Sequence, residues 1–133
     1  MATRVAGVGQ AYLGAYHDSH CNWFDGGRPY VLRVPPDPPA KQFWSHTLYD
    51  TRTRSLIDNP QRVGDKSSRM PDLTKNADGA VDLYTGPTPP KGKEKNWIPT
   101  VPGKAWFAYF RLYAPTEAYL DASWKLPDIE PAK

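Results

Sequence analysis

Pro38-Pro39-Ala40-Lys41-Gln42-Phe43-Trp44-Ser45-His46-Thr47-Leu48-Tyr49-Asp50-Thr51-Arg52-Thr53-Arg54 is the stretch whose reading decides the fold. The prolines cannot donate ladder hydrogen bonds and so end whatever precedes them. From Gln42 to Tyr49 the run alternates as an extended strand does. Trp44, His46 and Leu48 share one face; Phe43, Ser45, Thr47 and Tyr49 share the other. A polar, Arg-rich turn closes it. The same grammar recurs where Lys95-Asn96-Trp97-Ile98-Pro99-Thr100-Val101-Pro102-Gly103-Lys104 leads into Ala105-Trp106-Phe107-Ala108-Tyr109-Phe110-Arg111-Leu112-Tyr113. Residues 104–113 are apolar on both faces, which predicts a central strand with Trp106 buried.

Working outward, Tyr12 to Tyr16 reads as a short strand and His17 to Asn22 as a polar hairpin tip. Trp23-Phe24 is a return segment, and Asp25-Gly26-Gly27 is a bend of the kind that favours positive φ. Pro29 to Val34 and Ala80 to Thr85 alternate as strands, the second behind an Asn76-Ala77-Asp78-Gly79 turn. Residues 58–75 and 86–95 read as long loops. Pro115 to Asp121 is the best helix candidate, with proline in its first turn and Glu117 near the positive end of the dipole. Trp124 is expected to dock on the body. The expectation is an all-β chain with minor α content: a jelly-roll-like antiparallel β-sandwich with one short C-terminal helix. Residues 1–10 form a flexible arm and residues 11–130 a single domain.

Composition agrees. A chain of 133 residues is of single-domain length. Five Trp, eight Tyr and four Phe supply much of the 39% hydrophobic content, while fifteen Pro and ten Gly argue against a helical bundle. The net charge of +3 comes from interleaved signs, and Lys91-Gly92-Lys93-Glu94-Lys95 reads as a solvated loop, so nucleic acid is not an expected partner. The single Cys21 excludes an intrachain disulfide framework. The N-terminus lacks the apolar segment of a signal peptide, and no apolar run approaches the roughly 20 residues of a membrane helix. A soluble, cytoplasmic chain is expected.

An ordered set of short motifs then carries a family resemblance. They are Tyr12-Leu13-Gly14-Ala15, Phe24-Asp25-Gly26-Gly27, Pro38 to Ser45, Leu48-Tyr49-Asp50, Thr53-Arg54-Ser55, Asn76-Ala77-Asp78-Gly79, Val81-Asp82-Leu83-Tyr84, Gly86-Pro87, Asn96-Trp97-Ile98, Pro102-Gly103, Arg111-Leu112-Tyr113 and Ser123-Trp124. In this order they resemble a bacterial domain of unknown function, number 1214. The resemblance implies a jelly-roll-like sandwich and supplies no catalytic set to carry over. It also implies an upstream β domain, number 1254, which this sequence does not contain. The expected partners are therefore a second copy or a separate chain carrying that domain, docked on an exposed apolar patch.

The residues offer few chemical groupings. His17, Asp18, His20 and Cys21 could bind a metal, but no second His/Cys pair completes a zinc site, so no metal is expected. Asp50, Arg52, Arg54 and Arg111 could clamp an anion or carboxylate. Alternatively, Asp50 caps its turn and pairs with an arginine. Trp97 is either a sugar-stacking platform or a core plug. Asp50 and Asp82 have no readable separation, and adjacent Ser45 and His46 point to opposite faces. No phosphate loop, nucleophile elbow or metalloprotease helix is present, and no cofactor is expected. The sequence thus points to an interaction or ligand-binding module for a small polar or carbohydrate ligand. A hydrolase acting on such a substrate is the alternative.

Overall fold

A computed structural model describes residues 10–18, 20, 22–36, 40–57, 64–70, 73–115 and 126–132. Among the described residues nine strands follow one another: β1 Gln10–Ala15, β2 Phe24–Asp25, β3 Tyr30–Val34, β4 Ala40–Asp50, β5 Asp65–Ser67, β6 Val81–Gly86, β7 Trp97–Pro99, β8 Ala105–Pro115 and β9 Glu130–Pro131. A 3₁₀ turn at Glu94–Asn96 precedes β7. They make two sheets. One runs β1-β8-β4-β5, with β2 also paired to β8; the other runs β7-β6-β3-β9.

The two aromatic segments become the longest strands, eleven residues each, and pair antiparallel at the centre of the five-stranded sheet. Their even-numbered residues form its inner face: Trp44, His46 and Leu48 from β4, and Trp106, Ala108, Phe110 and Leu112 from β8, all buried. The inner face of the other sheet supplies Tyr30, Leu32, Val34, Val81, Leu83 and Ile98. Trp106 joins the two layers. Its ring stacks on Phe24 at 4.1 Å and meets Tyr30 edge-on at 5.5 Å. Burying each such side chain contributes about 1.5–3 kcal/mol, which is why strands this apolar pack face to face.

Four expectations are corrected. The segment read as a loop over residues 58–75 contains β5, a three-residue edge strand held by β4. Its sequence, Asp65-Lys66-Ser67, carries no alternation because its pairing comes from β4 and not from a buried face of its own. Pairing is not antiparallel throughout, since β6 and β7 are parallel. Gly26 and Gly27 do not have positive φ. Gly26 is needed for close approach instead: a Cβ there would stand 2.0 Å from the Val101 carbonyl oxygen. The tail, read without a strand, contains one. Glu130 and Pro131 pair with β3, and Ile129 is buried. The turn at Asn76–Gly79 forms as read, with Gly79 at φ +89° donating to the Asn76 carbonyl at 3.0 Å. Pro115 closes β8. The helix expected beyond it, the docking of Trp124, and residues 1–9 of the expected arm lie outside the described residues. Gln10 is the first residue of β1.

Candidate functional site

The odd-numbered residues of β4 and β8 form the outer face of the five-stranded sheet. The register sets Phe43 beside Tyr113, Ser45 beside Arg111, Thr47 beside Tyr109 and Tyr49 beside Phe107. On a water-facing sheet these positions would be polar. Here five of the eight are rings. Phe107 lies between Tyr49 and Tyr16, stacked on both at 5.4 and 5.3 Å. Tyr109 stands edge-on to Tyr16, Tyr49 and Phe107. Gly14 makes room for this: a Cβ would meet the Tyr109 ring at 3.0 Å and the Tyr16 ring at 3.2 Å. At the other end Phe43 and Tyr113 stack at 4.0 Å.

Arginines cover the rings. Arg69 lies 3.8 Å from the Phe43 centroid and Arg54 lies 5.7 Å from that of Phe107. Arg111 donates to the Tyr49 hydroxyl and also bonds the Tyr113 side chain. Burial opposes the charge of Arg111, and the neighbouring Tyr49 and Tyr113 outweigh it, leaving its pKa above the ordinary arginine value. The Tyr16 and Tyr109 hydroxyls bond at 2.7 Å, which together with burial raises the Tyr16 pKa. Phe107 is only 5% exposed, so the centre of this face is a small second core.

The edge of that core is open. Among the described residues the exposed large hydrophobic side chains are Tyr16, Trp23 and Leu56, at 39%, 70% and 55%. All three belong to this side of the molecule. Leu56 opposes Tyr49 in a β-bridge, Tyr16 stacks on Phe107, and Trp23 precedes the core-facing Phe24 and so projects the other way. The outer face of the other sheet is different: Arg33 grips Asp82 with two bonds of 2.9 and 3.0 Å. Burial works to raise the Asp82 pKa, but its bonds to Arg33 and Asn76 prevail and lower it.

The expected clamp residues are only partly brought together. Arg54 and Arg111 reach the aromatic face. Asp50 and Arg52 instead line a cleft of about 350 Å³ with Gly103 and Lys104 at one end of the sandwich. Asp50 caps its turn, accepting from the Arg52 and Thr53 amides at 2.8 and 3.3 Å. Trp97 lies on the opposite sheet, half-buried, with its indole N–H donating to the Gly86 carbonyl at 3.0 Å. A second cleft, of about 470 Å³, has Trp44, Val34, Met70 and Leu73 on its walls; its lining carries both signs, Lys75 and Asp78, and so selects no ligand charge.

Asp50 and Asp82 stand in different sheets and make no catalytic pair. His17 bridges to Trp23, and Asp18 accepts from the Asn22 and His20 amides, which makes this segment a hairpin tip. Those bonds lower the Asp18 pKa, the Asn22 amide most. Cys21 lies outside the described residues, and among those described no group of three or more His, Cys, Asp or Glu could hold a metal ion.

Sequence reading did not select Tyr16, Trp23, Tyr49, Leu56, Phe107 or Tyr109. The signal was present as rings on both faces of residues 104–113. It was read as a sign of centrality, which is also correct.

A two-sheet β-sandwich with one aromatic outer face defines the class of molecule. The family described as "Protein of unknown function (DUF1214)" matches residues 9–117, and the chain belongs to it. The crystal structure of the VPA0106 protein from Vibrio parahaemolyticus is similar, with 26% identity and a TM-score of 0.80 over 95% of this chain. A crystal structure of an uncharacterised protein from Burkholderia cenocepacia shares the fold, with 16% identity and a TM-score of 0.61 over 93% of this chain. The matched regions make up only 31% and 29% of those two longer chains. No curated protein matches this one.

Proposed function

We propose that this domain is a protein-interaction module whose docking surface is the aromatic, arginine-covered outer face of the five-stranded sheet. One observation carries the reading. Of the exposed large hydrophobic side chains among the described residues, Tyr16 belongs to the cluster of stacked rings, Leu56 is bridged to its Tyr49, and Trp23 is bridged to His17, the residue after Tyr16. Trp, Tyr and Arg are the residue types enriched where protein interfaces concentrate their energy. The occupant we assign is a further protein domain, of the kind that accompanies the matched third of the longer relatives. It is carried either by the same polypeptide or by a separate chain. A stable contact of this kind buries about 1,000 Å² or more. We also read the sandwich as jelly-roll-like with a short helix after β8, which backbone chemical shifts over residues 116–121 would test.

The docking reading has a direct check. In the VPA0106 crystal structure, residues aligned with Tyr16, Trp23 and Leu56 should touch the other two thirds of that chain. In solution, the isolated chain should self-associate or bind the apolar dye ANS, and the triple variant Tyr16→Ser, Trp23→Ser, Leu56→Ser should lose both properties. Solvent exposure of the aligned face in VPA0106, together with dye binding unchanged in the triple variant, would refute the proposal.

A further inference from the structure

His46 has no place in the aromatic face, and its position is costly. It lies on the inner side of β4, 1% exposed, and neither ring nitrogen has a hydrogen-bond partner. A neutral imidazole carries one donor and one acceptor, so the fold gives up both of its bonds to water. A leucine would fill such a core without that penalty.

We propose that His46 is an acid-sensitive latch: while neutral it lets β5 and the two sheets stay closed around it, and on taking up a proton it drives them apart. Among the described residues nothing around the ring offers the imidazolium a counter-charge. On β8 the residue in register is Phe110, its ring 6.4 Å away. On its own strand the inward neighbours are Trp44 and Leu48. The facing sheet contributes apolar side chains such as Leu32 and Leu83. Arg111 projects to the outer face, and the carboxylate of Asp65 is in register with Thr47, also on the outer side. The charged group in register with His46 is Lys66 of β5, a second cation. Protonation therefore buries a charge with no counter-charge among the described residues, and hydration of the ring requires an opening. The weakest cover is β5, three residues on a sheet edge paired only to Ser45, His46 and Thr47.

Burial alone pushes the His46 pKa down to about 4, against 6.5 for an exposed histidine. The opened state thus binds the proton first as pH falls below about 6.5. Closure weakens from there down to about pH 4, by on the order of 10²-fold in its equilibrium constant. Asp18 and Asp82, whose pKa values are lowered in the fold, act below that window: their contribution is lost only under more acid conditions.

The test is amide hydrogen exchange of the whole chain at pH 7 and pH 5, corrected for intrinsic rates, in the native protein and in His46→Leu and His46→Gln. In the native protein, protection over residues 45–47 and 65–67 should fall at least tenfold at pH 5. Both variants should keep it. An NMR titration of the His46 ring in the native protein gives a second readout that needs no variant to fold. It should show the ring of the closed state still predominantly neutral at pH 5. A native His46 that titrates near 6.5, or a variant that loses protection as the native protein does, would overturn the latch.

Discussion

Trp106→Ala tests the architecture at the point where its two layers meet. Trp106 is 1% exposed, stacks on Phe24 with ring planes 9° apart, and meets Tyr30 edge-on. Removing a buried Trp costs about 3–5 kcal/mol from lost transfer energy and the cavity left behind. Two further terms are specific to this site and nearly cancel. Each aromatic pair adds about 0.5–1.5 kcal/mol beyond area burial, and two are lost. Against that, the indole N–H is buried without a partner, so its removal returns on the order of 1–2 kcal/mol. The expected net loss is about 3–5 kcal/mol. Trp106→Phe discards the unpaired N–H and keeps a ring against Phe24, so it should cost about 1–2 kcal/mol. Urea unfolding followed by circular dichroism measures both, and an unchanged m value would place the effect in stability. A loss under 1 kcal/mol for Trp106→Ala would refute the sandwich packing. Equal losses for Ala and Phe would refute the claim that ring stacking carries it.

Arg54 ends the β4 turn at φ 61°, a left-handed conformation that costs a residue with a Cβ about 1–2 kcal/mol. Arg54→Gly should therefore be neutral to stabilising by up to about 1 kcal/mol, even though it gives up the guanidinium contact with Phe107, while Arg54→Val should destabilise. The reverse order in thermal melts would show that the turn is not strained. Asn96 is buried, and its amide donates to the Thr74 and Asp82 carbonyls at 2.8 and 2.9 Å while accepting from the Thr74 amide at 2.8 Å. Asn96→Ala leaves those backbone groups unpaired and should cost about 2–4 kcal/mol in the same urea assay; a loss under 1 kcal/mol would show that water replaces the amide without penalty.

Much of this molecule was legible because a strand's period is local. Alternation at residues 42–49 and 80–85 and doubled apolarity at 104–113 placed β4, β6 and β8 from neighbouring residues alone. The same rule put Trp44 and Trp106 inside and showed that Ser45 and His46 could not cooperate. It also offered turn capping as the alternative to the clamp for Asp50, because an Asx turn is formed by residues two and three positions apart.

What the chain could not reveal by itself depended on which strands become neighbours. β5 and β9 are too short and polar to show a period, and they exist because β4 and β3 offer them free edges. The bend at Gly26 owes its glycine to the Val101 and Lys104 carbonyls, some 75 residues away in sequence. The aromatic face was hidden for the same reason. Tyr49 comes from β4, Phe107 and Tyr109 from β8, and Tyr16 directly follows β1, and only the register β1-β8-β4 stacks them. The cost of His46 likewise became visible only when the opposite sheet closed over it. Local sequence determines which way a side chain points. Only the tertiary structure decides what it points at, because strand order and register are settled by contacts between residues far apart in the chain.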